Sequence, residues 1–222
     1  MGYGSLNQKG TGLRQRIYSR AFIVASPSGS LAAGERILYI ITDTQSGDTG
    51  IRHAVLERLK ELYPGVYSQD NVALVGTHSH SGPGAWLNYL LPQVTTLGID
   101  EQSFWAIVDG IVLSVQRAHD NATSGYLFLG KGLVDDAGVN RSPYSYEHNP
   151  LEERQRYAGD TDKEMQMLYF EDEDGNPLGY VIFYSKTRHG SYTYPISVQS
   201  TQLVSYTRYI PLQQQHSDLR RQ

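Results

Sequence analysis

Val72-Ala73-Leu74-Val75-Gly76-Thr77-His78-Ser79-His80-Ser81-Gly82-Pro83-Gly84 opens as a short apolar run and closes as a glycine-proline turn. The run has the length and composition of a buried strand, and the turn residues end it. Two histidines stand two residues apart at the strand exit. Residues i and i+2 of a strand point to one face, so this spacing predicts that both imidazoles reach one pocket. Glycines beside them let the backbone approach whatever is held there. Two readings are open on this evidence: half of a metal site, or a pair of hydrogen-bonded surface histidines.

Upstream, Ile51, Val55, Leu59 and Leu62 recur at helical spacing before Pro64, which predicts an amphipathic helix over 49–63. Residues 21–25 and 36–42 read as strands joined by a Pro/Ser/Gly turn, and 71–77 is the strand that delivers His78. Downstream, Phe104, Ile107, Val108, Ile111, Val112 and Val115 line the apolar side of a helix over 101–119. Strands follow over 125–134, 165–170 and 178–184. The last two flank Asp172-Glu173-Asp174-Gly175-Asn176-Pro177, the composition of a hairpin turn. Strands alternating with helices predict an α/β layered domain with a mixed sheet. Residues 191–222 are rich in Gln, Ser and Tyr without clear periodicity, and are expected to be a disordered tail. The domain itself is expected over 1–190.

The 222 residues suffice for one domain with a sizeable core. A net charge of -4 excludes a broad nucleic-acid surface. With no cysteine there is neither a disulfide framework nor a thiolate metal site, so any metal must be held by His, carboxylate, Tyr or water. No run reaches transmembrane length, and residues 1–20 lack the pattern of a signal peptide.

Other constellations have two readings each. Asn140-Arg141-Ser142-Pro143 places an arginine in a loop, where it can form a fork to a carboxylate or staple the loop. Asp160-Thr161-Asp162-Lys163 could bind a metal, but loop capping with a local lysine pair is the simpler expectation. Asp43-Thr44-Gln45-Ser46-Gly47-Asp48 lies at the strand end where ligands gather in α/β sheets, and Ser46 or Asp48 can cap the following helix. His53, His119 and His189 have no evident partners. Asn121-Ala122-Thr123 is a glycosylation sequon in an expected surface loop, and Asn140-Arg141-Ser142 also fits that pattern.

Taken in order, these motifs resemble the neutral ceramidases, zinc-dependent N-acylsphingosine amidohydrolases. The similarity begins at Met1-Gly2-Tyr3 and Gly10-Thr11-Gly12-Leu13-Arg14, and runs through Asp43-Thr44-Gln45-Ser46-Gly47 and Thr77-His78-Ser79-His80-Ser81-Gly82-Pro83-Gly84. Asn140-Arg141-Ser142-Pro143, Asn149-Pro150, Glu153-Arg154 and Asp160-Thr161-Asp162-Lys163 extend it, so that it covers about residues 1–184. The resemblance implies that His78 is a zinc ligand and that His80 and Arg141 contact the substrate's polar head. It implies hydrolysis of the amide bond of ceramide to sphingosine and a fatty acid, at a membrane or micelle surface, by a secreted or extracellular protein.

In this family a second zinc histidine lies in a Val-His-Gly-Thr-Ser stretch. The counterpart here is Arg188-His189-Gly190-Ser191, two residues late and in altered surroundings. The glutamate and tyrosine ligands have no counterpart, and the family's opening strand precedes Met1. The expectation is therefore an N-terminal fragment, incomplete at both ends and inactive alone. The competing expectation is a non-catalytic fragment or pseudoenzyme that binds lipid or a partner.

Overall fold

The computed structural model describes residues 6–7, 9–10, 12–13, 15–26, 36–135, 140, 142–184 and the backbone of 210–211. Arg141, His189 and nearly all of the expected tail lie outside the described residues. Two compact units divide the chain. Among the described residues, one holds those up to Leu127 together with Phe170–Gly179 and Ile210–Pro211, and the other holds Phe128–Tyr169 and residues 180–184.

The first unit is built on a sheet of β1 (Ser19–Ala25), β2 (Arg36–Thr42) and β3 (Val72–Gly76), with the helix α1 (Thr49–Leu62) between β2 and β3. β2 pairs antiparallel with β1 and parallel with β3, so the sheet is mixed. Ile210–Pro211 adds a short parallel pairing beside Val24 and Ala25, in the segment expected to be disordered.

Alternation along the strands sorts side chains between faces. Ala21, Ile23, Leu38 and Ile40 enter the main core, while Ile37 is exposed. Phe22, on the opposite face of β1, stacks on Phe170 with ring centroids 5.5 Å apart. Two helices supply the other half of the core: Ile51, Val55, Leu56 and Leu59 from α1, and Val108, Ile111, Val112, Val115 and Ala118 from a long helix. That helix spans Glu101–Asp120 and follows a short one, so these are α3 and α2 (Leu90–Thr96). The short helix α2 was not anticipated from periodicity: seven residues span barely two turns.

The strand expected over 125–134 is β4 (Gly125–Leu133). It forms a second sheet with β5 (Glu164–Asp172) and β6 (Pro177–Tyr184) in the order β4-β5-β6. Between β5 and β6 lies the expected tight turn, where Asp172 Oδ1 accepts the backbone N–H groups of Asp174 and Asn176 and Gly175 takes φ +84°. Gly125 is required by close approach, since a Cβ there would lie 2.1 Å from the Glu171 carbonyl oxygen.

Candidate functional site

The strand β3 stops at Gly76, two residues before His78. The expected reason for convergence, strand alternation, is therefore wrong, although the two imidazoles do converge. His78 has φ +63°, a left-handed conformation that few non-glycine residues adopt. Beyond it the rings stand nearly perpendicular, with centroids 4.6 Å apart and the two Nε2 atoms 3.1 Å apart. A loop turn rather than a strand pleat brings them together.

The loop after β2 orients His78. Its Nδ1 lies 2.7 Å from the backbone carbonyl oxygen of Gln45. A carbonyl only accepts, so Nδ1 carries the hydrogen and Nε2 carries the lone pair. A carbonyl on one imidazole nitrogen is the usual companion of a metal on the other. The donor chemistry thus fits a zinc ligand at His78. With the His78 Nε2 lone pair as acceptor, His80 Nε2 is the donor of the bond between them. The His80 pKa is lowered from 6.5 by partial desolvation and then by the neighbouring His78. Both causes favour the neutral ring.

Two glycines let the loop lie this close to β3. A Cβ on Gly76 would stand 2.7 Å from the Thr44 carbonyl oxygen and 2.8 Å from Ser46, and one on Gly47 would stand 2.7 Å from the Leu74 carbonyl oxygen. Thr44 reinforces the turn through its hydroxyl, bonded to Thr42 Oγ1 at 2.6 Å and donating to the Ser46 carbonyl at 3.0 Å.

Asp43 and Asp48 bracket this loop and are occupied structurally. The Asp43 carboxylate receives Arg20 at 2.9 and 3.4 Å and the Tyr18 N–H at 3.1 Å. Asp48, rather than Ser46, caps α1 by accepting from Ile51 N, while its other oxygen accepts from Asn88 N at 2.8 Å. The segment after the histidines is pinned by Trp86, which is buried in the core and donates to the Pro83 carbonyl. Together, Asp48 and Trp86 fix where Tyr89 emerges.

An open depression of about 500 Å³ results, lined by Gln45, Ser46, Asp48, Thr49, His78 and Tyr89 among others. Tyr89 and Thr49 were not anticipated as site residues. Their hydroxyls bond to each other across the depression. The available signal was the Asp43–Asp48 loop, already placed at the ligand end of the sheet.

Among the described residues, no cluster of three His, Cys, Asp or Glu side chains is placed to hold a metal. Asn140 and Ser142 flank Arg141 in the second unit, where Asn140 Oδ1 accepts from Ser142 N. The Asp160–Lys163 group behaves as the simpler reading expected. Asp162 accepts from Glu164 N, and Lys163 pairs with a carboxylate, though with Asp135 rather than a near neighbour. His119, for which the sequence offered no evident partner, is hydrogen-bonded to the Tyr67 hydroxyl and stacked on Tyr63 at 4.1 Å. No helix among the described residues is long and apolar enough to cross a membrane.

Comparison with known proteins places this geometry in context. Residues 1–197 match the family described as neutral/alkaline non-lysosomal ceramidase, N-terminal. A neutral ceramidase of Oryza sativa subsp. japonica is 44% identical over 179 residues, covering 81% of this chain and 22% of that protein. One from Pseudomonas aeruginosa is 40% identical over 184 residues, covering 83% and 27%. The solved structure of the neutral ceramidase from Pseudomonas aeruginosa superposes with a TM-score of 0.76 at 39% identity, over 83% of this chain and 28% of that one. The chain spans about a quarter of the length of these relatives.

Proposed function

We propose, on the premise that the chain belongs to the neutral ceramidase family, that it carries one part of a zinc-dependent centre hydrolysing the amide bond of ceramide. The products are sphingosine and a fatty acid, and the setting is a secreted or extracellular protein working on lipid presented at a membrane or micelle surface. The observation that carries this reading is the fixed tautomer of His78, whose Nδ1–H is held by Gln45 so that Nε2 is presented as a lone pair beside His80.

His78 is the ligand in this reading, and His189 is the second. Zinc held there supplies Lewis acidity, polarising a carbonyl and lowering the pKa of water. His80 holds a proton at Nε2, 3.1 Å from the ligand atom of His78, and its lowered pKa keeps the ring neutral near pH 7. A neutral imidazole with an N–H at that position can donate to a substrate oxygen and exchange a proton with the leaving amine. Arg141 contributes a fixed positive charge toward the substrate's polar head. The depression beside Tyr89 and Thr49 offers hydroxyl groups to a polar group bound beside His78.

Hydrolysis of a fluorescent short-chain ceramide by the 222-residue chain, with and without added zinc, tests this. Zinc-dependent turnover lost in His78→Ala supports it. Turnover that ignores zinc or survives His78→Ala overturns it. A folded chain that binds zinc through His78 without turning over favours the second reading, a non-catalytic lipid-binding fragment.

A further inference from the structure

We propose that Thr44 is a positioning residue for His78: its buried hydroxyl clamps the turn that aims the Gln45 carbonyl, and that carbonyl selects the His78 nitrogen that carries the lone pair. The functional consequence rests on the zinc reading, whereas the positioning rests on hydrogen-bond geometry. Thr44 and Thr42 are each 4% exposed. Hydroxyls so deeply buried need partners, and the direction of each bond follows from counting protons.

The Thr44 Oγ1 stands 2.6 Å from Thr42 Oγ1 and 3.0 Å from the Ser46 carbonyl oxygen, while Thr42 Oγ1 stands 3.2 Å from the Val75 carbonyl oxygen. Each hydroxyl has a single proton, so the pair cannot donate in all of these contacts. The shorter contacts are satisfied together when Thr42 donates to Thr44 and Thr44 donates to Ser46. The reverse order, Thr44 to Thr42 to Val75, gives up the 3.0 Å contact for the 3.2 Å one. A threonine hydroxyl bonded to the carbonyl of the second residue ahead closes a local side-chain turn. The ring of atoms closed here contains both peptide groups that flank Gln45. The second of them bears the carbonyl oxygen that lies 2.7 Å from His78 Nδ1.

Thr42 secures the other side through its backbone, its carbonyl accepting from Thr77 N at 2.9 Å, next to His78. His80 favours the same tautomer from the opposite end of the ring, as the donor to His78 Nε2. Thr44 and His80 thus act on different nitrogens of one imidazole, and their effects can be separated. Partners that orient a metal-binding histidine are typically worth 10–100-fold in metal affinity. Loss of the Thr44 clamp displaces the carbonyl without deleting it, so the expected cost is the lower end of that range, about tenfold.

The test is the tautomer of His78 in the metal-free 222-residue chain, read from its two ring nitrogen-15 shifts, with zinc affinity measured by calorimetry. At about pH 8, above the ordinary histidine pKa, the parent should show Nδ1 as the N–H nitrogen and Nε2 as the lone-pair nitrogen. Thr44→Val removes the hydroxyl at nearly constant shape. Both His78 signals should move toward the average of the two tautomers, and zinc affinity should fall about tenfold. Thr44→Ser keeps the hydroxyl and should retain the parent's shifts and affinity. Thr42→Val deletes the neighbouring buried hydroxyl but keeps the backbone tie and the Thr44–Ser46 bond. It should lower the urea midpoint, as Thr44→Val does, without moving the His78 signals.

Parent shifts in Thr44→Val overturn the proposal, since His80 alone then fixes the tautomer. An equal displacement in Thr42→Val or in Thr44→Ser also overturns it, because a merely structural role gives that result. If Thr44→Val does not fold, Thr44→Ala takes its place with the same expected and overturning shifts. Failure of the zinc reading is distinguishable. A parent that takes up no zinc through His78, yet whose tautomer depends on Thr44, upholds the positioning role and counts against the zinc reading alone. Zinc bound through His78 with a tautomer indifferent to Thr44 overturns the positioning role and leaves the zinc reading standing.

Discussion

The Nδ1 atom of His78 lies 2.7 Å from the main-chain carbonyl oxygen of Gln45, thirty-three residues earlier in the chain. The contact joins the segment after β3 to the loop after β2 and determines which nitrogen of His78 carries the lone pair. Because the carbonyl belongs to the backbone, the side chain at position 45 is irrelevant to this bond, but the path of the loop is not. That path depends on the two glycines.

Gly76→Ala places a methyl group 2.7 Å from the Thr44 carbonyl oxygen and 2.8 Å from Ser46. Both neighbours are backbone and can yield only by moving the loop that presents Gln45. Overpacking of this kind costs about 1–3 kcal/mol. A lowered urea midpoint is expected, together with weaker zinc binding by calorimetry. Gln45→Ala should leave zinc binding near that of the parent.

Asp48 is 3% exposed and serves two elements at once, α1 through Ile51 N and the segment after the histidines through Asn88 N. Asp48→Ala removes the cap and strands a second N–H, so a loss of about 2–4 kcal/mol is expected from urea unfolding. Asp48→Asn retains one acceptor at cap geometry and should lose less.

Buried Arg20 pairs with half-buried Asp43 at 2.9 Å, joining β1 to the loop after β2. Arg20→Met leaves the half-buried Asp43 carboxylate with the Tyr18 N–H. Losing a charged hydrogen-bond partner at a half-buried carboxylate costs about 1.5–3 kcal/mol. Replacing both partners with apolar residues should recover much of that stability in a double-mutant cycle.

His119 should make stability pH-dependent. Its pKa is lowered from 6.5, first by burial and then by the Arg36 charge, with Asp120 opposing. The folded form therefore binds its proton less readily than the unfolded chain does. The contribution of the neutral ring is complete above about pH 6.5 and is lost as pH falls below it toward the folded pKa. Protonation also removes the acceptor that Nε2 can offer the Tyr67 hydroxyl. Urea midpoints of the parent should fall between pH 7.5 and pH 5 by more than those of His119→Gln. Equal slopes would show that the ring does not titrate on unfolding.

The long regular elements were legible because their signals are local. Ile51, Val55 and Leu59 repeat at helical spacing, and α1 forms there with Asp48 as its cap. The runs 36–42 and 125–134 became β2 and β4 with at most one residue of difference. The helix α2 was hidden because its seven residues span barely two turns, too few for a period to show.

Sequence by itself determined the mixed α/β order, the family, and the identity of His78 and His80 as the residues to examine. Period and composition decide the order of elements, since they reflect forces acting over a few residues, whereas the family rests on the resemblance of the motifs taken in series. Tertiary structure alone decided that a left-handed turn brings the two rings together, that Gln45 orients one of them, and that His119 is held by Tyr63 and Tyr67. Each of these contacts joins positions distant in the chain. The reason is steric: the bare backbones of Gly47 and Gly76 let two loops approach closely, a consequence of long-range packing that leaves no periodic trace in the sequence.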